Sequence, residues 1–302
     1  MKKEGKILRL KDFLETNEDN IPFYLDVALE NVIDGNKGST IAHLDDLFYE
    51  VFQSIPAITE EKTLLRFAGF KEPEKGEKWN PEDDYTLQDI RDNSLSFAAP
   101  RFFNDPMDPL IKAWAEWRKI HDEDKDDKTL YRLINQVLDR IRISCLVDPF
   151  RDTKKSKQLP IDRCNPLMWA HYAKSHTGIC IQYRIKPENM IDNGMEVIRL
   201  LDVNYDKPFP LDGNIPFLDS LCVKGDSWRY EKETRLLLYA RGDTGGHPHK
   251  KGYEIEAVYM GRKIDKEKRD CLRKLLKDSD IKLYQMDFSV KDITKLEAHE
   301  IY

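Results

Sequence analysis

Short stretches in which apolar and polar residues alternate predict β-strands along much of the chain. Examples are IRISCLV (141–147), ICIQY (179–183), YEIEAVYMG (253–261) and IKLYQMDF (281–288), the last of which is predicted to be the final strand. Apolar residues at helical spacing instead predict helices in FYLDVALENVI, LDDLFYEVFQSI, YTLQDIRDNS and KEKRDCLRKLLKD. Residues 241–252, RGDTGGHPHKKG, are predicted to form a hairpin-like loop.

The order of these elements predicts the fold class. Helices and strands are interspersed, and several consecutive strands have no helix between them, which favours an α+β fold over a doubly wound sheet. Residues 1–58 have a helical pattern and are expected to form an N-terminal helical segment that caps the core or contacts a partner protein. Residues 59–302 are expected to form the α+β core domain that carries the candidate site.

Composition narrows the class of protein. The 302 residues are 40% hydrophobic and 10% aromatic, which is enough for a sizeable core, and the net charge of −6 gives no overall basic footprint for nucleic acid. No apolar run approaches the roughly 20 residues that span a bilayer, so no membrane association is expected. Five cysteines without a CxxC pair are typical of reduced thiols, which favours a cytoplasmic location.

The most unusual stretch is NPLMWAHYAKSHTGICIQY (165–183). Asn165 and Pro166 suit the start of a short helix, and Gly178 is predicted to end it in a left-handed conformation. The unit is rich in aromatic and imidazole side chains: Trp169, His171, Tyr172 and His176. A zinc site formed by Cys164, His171, His176 and Cys180 is disfavoured, because the histidines are five apart across a turn and Cys180 lies on an apolar strand.

Two further stretches contain candidate site residues. Asn104 and Asp105 precede a proline in FFNDP, which predicts either a site at a strand end or a structural Asx turn. In KGDSWRYEKETR (224–235), Glu231 and Glu233 are two residues apart and would share one face of an extended chain, with Arg235 next on that face. An Arg–Glu surface ladder is the alternative, although the apolar LLLY that follows favours a site.

Arg66 is a single charge in the predicted strand TLLRFAGF. Its guanidinium would either form a bidentate contact with a phosphate or carboxylate group, or else point to solvent.

Three stretches together, SLSFAAPRFFNDP, MWAHYAKSHTGICI and KGDSWRYEKETR, resemble the bacterial domain of unknown function 2971 family over roughly residues 61–295. The family carries no assigned activity. More distantly, the layout resembles the ADP-ribosyltransferase superfamily, including its DarT-like branch. That resemblance implies a split mixed or antiparallel β-sheet with flanking helices and NAD bound in the cleft of the split.

The same resemblance implies roles for individual residues. Glu233, His171 and Tyr172 would be catalytic, since a carboxylate stabilises the positive charge that develops on the ribose and a histidine serves an acceptor or a ribose hydroxyl. The residues expected to bind NAD are Arg66, Asn104, Asp105, Trp169, His176, Trp228, Glu231 and Arg235. No metal is expected.

Three functions remain open from the sequence. The first is an NAD-consuming ADP-ribosyltransferase, as a toxin or phage-defence effector that modifies nucleic acid or protein, and it predicts a cleft that joins Arg66, Tyr172 and Glu233. The second is a metal-assisted or acid/base nuclease or hydrolase that uses His171, His176, Asp105 and Glu233. The third is a non-catalytic sensing or binding module, in which Trp169, Tyr172 and Trp228 are fully buried.

Overall fold

The computed structural model describes residues 37–103, 105, 107–109, 138–151, 158–206, 221–242 and 246–301. Asn104 and the first 36 residues of the predicted N-terminal segment lie outside the described residues. The described part of the chain is a mixed α+β fold with one large mixed sheet and few helices, which confirms the predicted class.

Ten strands are formed by the described residues. They are β1 (Lys62–Ala68), β2 (Ser94–Ser96), β3 (Ile141–Val147), β4 (Ile179–Ile185), β5 (Glu196–Asp202), β6 (Glu233–Ala240), β7 (His249–Lys251), β8 (Glu254–Met260), β9 (Lys282–Phe288) and β10 (Leu296–Glu300). Eight of them form a sheet in the order β10-β9-β8-β4-β1-β3-β6-β5, and β2 pairs with β7 in a second, two-stranded sheet. The α-helices span Lys37–Ser54, Tyr85–Asp92, Leu167–His171 and Lys266–Leu276.

Neighbouring strands of the large sheet are antiparallel, except that β8 and β9 are parallel. The helix Lys266–Leu276 connects these two parallel strands, as the crossover between parallel neighbours requires. Its N-cap is Asp265, whose side chain accepts a hydrogen bond from the Lys268 N–H.

The sheet separates between β1 and β3. These strands are in register only at Leu65 and Val147, whereas β3 pairs with β6 along all seven of its residues. Further along β3, Ile143 pairs with Ala98 instead of with β1. The two residues exchange both of their backbone hydrogen bonds. Glu233 pairs with Val147 and therefore lies at the closed end of the separation.

Each face of the sheet carries its own core, because side chains alternate between faces along a strand. One core contains Leu64, Leu146, Ile181 and Leu236 and packs against the helix Tyr85–Asp92 and β2. The other contains Leu65, Phe67 and Val147 and packs against Met168 and Trp169 of the short central helix. These two cores define what we call the first and the second face of the sheet.

The helix Lys37–Ser54 contacts the end of the sheet formed by β5 and β6. Phe52 stacks on Tyr239 with ring centroids 5.2 Å apart, and the Tyr239 hydroxyl donates to Asp45. Arg199 of β5 donates to the carbonyl of Ile55, just past the helix. The boundary at residue 58 stays a prediction. No helix in the described ranges has the length and apolar character needed to cross a membrane.

Three local predictions were wrong. IKLYQMDF is not the final strand, since β10 pairs with it, and β7 lies within the stretch predicted to be a loop. The left-handed residues of the central turn are Lys174, Ser175 and His176, not Gly178. Gly178 is required for another reason: a Cβ there would lie 2.2 Å from the carbonyl oxygen of Ala68.

Candidate functional site

Five buried charged residues meet on the second face of the sheet, and we call them the charged cluster: Asp108, Lys224, Glu231, Glu233 and Arg235. None of the five is more than 8% exposed. The Lys224 ammonium lies 2.7 Å from both glutamates and 3.3 Å from Asp108. Arg235 binds Glu233 through Nε and Asp108 through Nη2, each at 2.7 Å. The cluster is thus a continuous network of charge-assisted hydrogen bonds.

Different elements bring these side chains together. Glu233 and Arg235 are two residues apart on β6 and share a face. Glu231 ends a 3₁₀ turn, Asp226–Glu231, and Lys232 then adopts a left-handed conformation. The prediction that Glu231 and Glu233 lie in one extended chain was therefore wrong, although their carboxylates do converge on Lys224.

Asp108 reaches the charged cluster through the turn that contains Asp105. The Asp105 carboxylate accepts a hydrogen bond from the Met107 N–H, and its backbone carbonyl accepts one from the Asp108 N–H. This is an Asx turn, which was the structural alternative for Asp105. Neither hydrogen bond joins Asp105 to a side chain of the charged cluster. Asp105 therefore contributes to the cluster by positioning Asp108.

The two glutamates experience opposite electrostatic environments. Burial disfavours the charge of Glu233, yet Arg235 and Lys224 together hold its pKa well below the ordinary value. Burial raises the pKa of Glu231, with Glu233 adding to the effect and Lys224 opposing it. The Tyr172 hydroxyl donates to the other oxygen of Glu231. Glu233 is therefore a fixed anion, and Glu231 is the carboxyl group that takes up a proton more readily.

Aromatic side chains lie next to the charged cluster, and we call them the aromatic rim: His171, Tyr172, Trp228 and Tyr230. His171 is exposed, and its ring centroid lies 6.3 Å from those of Tyr172 and Trp228 and 6.5 Å from that of Tyr230. Trp228 and Tyr230 are half-buried, and the Lys224 ammonium lies 5.5 Å from the Trp228 ring centroid. The rim therefore connects the buried charges with solvent.

Trp169 and His176 do not join the rim. Trp169 is 2% exposed and packs edge-on against Phe67 at 5.1 Å in the core of the second face. His176 stacks on the Trp169 ring, and its backbone carbonyl accepts a hydrogen bond from the Lys263 N–H. Burial lowers the pKa of His176, and the cations Lys263 and Arg262 add to this effect. Both residues shape the turn that presents His171 and Tyr172.

Arg66 lies on the first face, away from the charged cluster. Its guanidinium donates to Asp89 at 2.6 Å, and Asp89 also accepts hydrogen bonds from Ser94 and Ser96 and contacts His249 Nδ1 at 2.7 Å. Asp89 is fully buried. Of the three residues predicted to share a cleft, Tyr172 and Glu233 are connected through Glu231 and Lys224, whereas Arg66 lies on the other face.

Sequence analysis did not select Asp108 or Lys224. Lys224 begins the KGDSWRYEKETR stretch, so its position seven residues before Glu231 was visible, but nothing local indicated that the intervening turn folds back. Asp108 is 127 residues from Arg235 and had no local signal beyond its proximity to the FNDP turn.

The structure also bears on metal binding. Over the described ranges, no group of three His, Cys, Asp or Glu side chains has a geometry that could hold a metal ion. Cys164, His171, His176 and Cys180 are all within those ranges.

Comparison with known proteins shows a family similarity for part of the chain. The family model "Protein of unknown function (DUF2971)" matches residues 168–236, which confirms the resemblance drawn from two of the three motifs. The matched segment contains the aromatic rim and four of the five charged residues, and the stretch SLSFAAPRFFNDP precedes it. No curated protein and no solved structure matches the chain. Residues 168–236 are thus similar to the family of unknown function 2971.

Proposed function

We propose that the protein is an NAD-consuming enzyme of the ADP-ribosyltransferase type, with its site at the aromatic rim and the charged cluster. The observation that carries the proposal is the pair Glu231 and Glu233, which meet at Lys224 next to the aromatic rim and whose pKa values are shifted in opposite directions. Two carboxyl groups with separated pKa values are characteristic of sites that combine proton transfer with charge stabilisation.

The reaction needs negative charge close to the donor. When the bond between nicotinamide and ribose breaks, the bonding electrons leave with nicotinamide and positive charge develops on the sugar. Glu231 lies nearer to the rim through its hydrogen bond with Tyr172, so we assign it the contact with the developing charge. Glu233 has both oxygens bound by Lys224 and Arg235 and is assigned the positioning of these cations.

The exposed His171 is assigned to the acceptor. The acceptor loses a proton as its new bond to the ribose carbon forms, and an imidazole is the side chain suited to take that proton near neutral pH. Flat faces of Trp228 and Tyr230 suit a nicotinamide ring that is stacked before it leaves. These assignments require the donor to enter from the side of the rim.

The separation of β1 and β3 supports the assignment of an ADP-ribosyltransferase-like fold. β1 and β3 pair at one position and then part, as the strands of a split sheet do, and Glu233 lies where the parting begins. Arg66, on the opposite face and bound to Asp89, is not part of the proposed donor site. A nucleic acid or protein acceptor, and a role in toxicity or phage defence, rest on the superfamily resemblance alone.

The test is release of nicotinamide from NAD by purified wild type, Glu231→Gln and Glu256→Gln, with and without DNA, RNA and cell extract. Glu256 is the matched control, because it is a half-buried carboxylate bound to Arg184 and Gln182 elsewhere in the sheet. We expect Glu231→Gln to lower kcat by about 10²–10³-fold, the range for loss of one group that stabilises charge in the transition state, and Glu256→Gln to leave it unchanged. Equal kcat in wild type and Glu231→Gln would contradict the role assigned to Glu231.

A non-catalytic binding module is the second candidate. Glu233 favours this candidate, because its carboxylate is already bound by Lys224 and Arg235. Carboxylates bound in this way also occur in purely structural ion networks. Absence of both NAD binding and nicotinamide release under every condition would favour this candidate over the enzyme.

A further inference from the structure

Cys145 is exposed on β3, two residues from the position at which β3 pairs with β1. It lies on β3 between Ile143 and Val147, which point to the same face and are 1% and 5% exposed. Arg235, its partner across the strand pair, is fully buried. A side chain on an interior strand is exposed only where an opening lies above it, so the second face has an opening over Cys145.

The charged cluster forms one side of this opening. Cys145 interacts electrostatically with Glu233, Arg235, Asp108 and Lys224. Asp108 is 4% exposed, and its Oδ2 binds Arg235 while its Oδ1 has no hydrogen-bond partner in the described part of the chain. A buried carboxylate oxygen without a donor is costly, because it has lost water and gained nothing in exchange.

The formal charges of the cluster do not balance. Counted over the described residues, three carboxylates (Asp108, Glu231 and Glu233) face two cations (Lys224 and Arg235), which leaves one negative charge in excess. An uncompensated negative charge on carboxylates that are only 2–4% exposed is strongly unfavourable. The raised pKa of Glu231, caused by burial and by Glu233, is the response expected of a site that lacks one positive charge.

We propose that the opening over Cys145 is a binding subsite for a small organic cation that carries N–H donors. Such a group would supply the missing positive charge and a donor for the unpartnered oxygen of Asp108. A neutral ligand of the same shape would supply only the donor, and an anion would add to the excess charge. The proposal adds to the proposed function the charge of the group that enters the site. It rests on the proposed function only for the location of that site.

The experiment compares two ligands of nearly equal shape, the benzamidinium cation and neutral benzamide, by the thermal unfolding midpoint of the full chain. Benzamide has the shape of nicotinamide, so stacking on the aromatic rim contributes to both shifts, and the excess shift of benzamidinium over benzamide measures the subsite whether or not NAD is turned over. A ligand that binds only the native state stabilises it by RT ln(1 + [L]/Kd), so benzamidinium should raise the midpoint more than benzamide does. Sodium chloride at equal concentration controls for ionic strength.

Substitutions locate the binding. Cys145→Met extends the side chain into the opening and should abolish the excess shift of benzamidinium, whereas Cys145→Ser keeps the size and should retain it. Cys271→Met, at a half-buried cysteine on the helix Lys266–Leu276, is the matched control and should also retain it. Asp108→Asn and Glu231→Gln each remove one negative charge, and each variant that folds should lose the preference for the cation.

Three results would overturn the proposal. They are equal shifts with benzamidinium and benzamide, no shift with benzamidinium at saturating concentration, and an excess shift of benzamidinium that persists in Cys145→Met.

Discussion

At the scale of single residues, the environments of Glu231 and Glu233 differ in which cations reach them. Both accept a hydrogen bond from Lys224, but only Glu233 is also bound by the guanidinium of Arg235. Tyr172 donates to Glu231 and adds no charge. Two carboxyl groups that share one ammonium therefore differ in proton affinity because one of them has a second cation.

This difference predicts opposite pH dependence for two matched substitutions. The pKa of Glu231 is raised in the native state, so its contribution to stability is complete below the unfolded value of about 4.5 and is lost as the pH rises through the native pKa. Glu231→Gln does not titrate, and we expect it to gain stability relative to wild type as the pH increases.

Glu233 behaves in the opposite sense. Its native pKa is lowered, so its contribution is complete above about 4.5 and is lost as the pH falls towards the native pKa. Glu233→Gln should be least stable relative to wild type near neutral pH and should approach wild type on acidification. Urea unfolding of both variants across this range measures the two slopes, each at most about 1.4 kcal/mol per pH unit. Slopes of the same sign would refute the assignment.

At the scale of elements, the turn between the helix Leu167–His171 and β4 presents His171 and Tyr172. Three consecutive left-handed residues, Lys174 to His176, are held by backbone hydrogen bonds: Ser175 N–H to Ala170, and His176 N–H to Trp169. Left-handed conformations are unfavourable for such residues, and tertiary contacts maintain them here. Sequence analysis assigned the left-handed position to Gly178 because glycine is the residue that adopts it most readily.

Gly178→Ala is therefore expected to destabilise the protein through a clash rather than through backbone strain. The added Cβ would lie 2.2 Å from the Ala68 carbonyl oxygen on β1, and a backbone atom cannot move aside as a side chain can. We expect a loss of about 3 kcal/mol in the free energy of unfolding, at the upper end for overpacking. Gly246→Ala is the control, since a Cβ there meets nothing within 4 Å, and it should change stability by less than about 0.5 kcal/mol. Equal effects of the two substitutions would show that the close approach is unimportant.

At the scale of the whole molecule, the sheet keeps two polar networks apart. The charged cluster lies on the second face, and the network of Arg66, Asp89 and His249 lies on the first. The sheet lies between the two networks, and each has its own hydrogen-bond partners. The network on the first face is thus expected to support the fold and not the proposed chemistry.

Arg66→Met tests this separation. Removing the guanidinium leaves the buried carboxylate of Asp89 without its main cation, and we expect a loss of about 3 kcal/mol in stability, as when one partner of a buried pair is removed. The KM for NAD of the folded variant should not change, whereas Trp228→Ala at the aromatic rim should raise it. An increase in KM in Arg66→Met without loss of stability would restore Arg66 as a donor-binding residue.

The local pattern was sufficient to predict most elements and the two stretches that carry the site. Strands β1, β3, β4, β8 and β9 and the helices Tyr85–Asp92 and Lys266–Leu276 follow from alternation, helical spacing and caps, all of which act within a few residues. β7 and β10 were missed because their residues, HKK and LEAHE, are polar and half-exposed and pair through the backbone.

Sequence alone determined which residues are aromatic or charged in the central stretch and in KGDSWRYEKETR, and hence that Tyr172, Glu231 and Glu233 were candidates. Only the tertiary structure decided that Lys224 and Asp108 complete their cluster and that Arg66 does not. Alternation tells which residues of one strand share a face, but not which face that is relative to another strand. That choice depends on the register between distant segments, such as Arg235 and Asp108, and on the parting of β1 from β3.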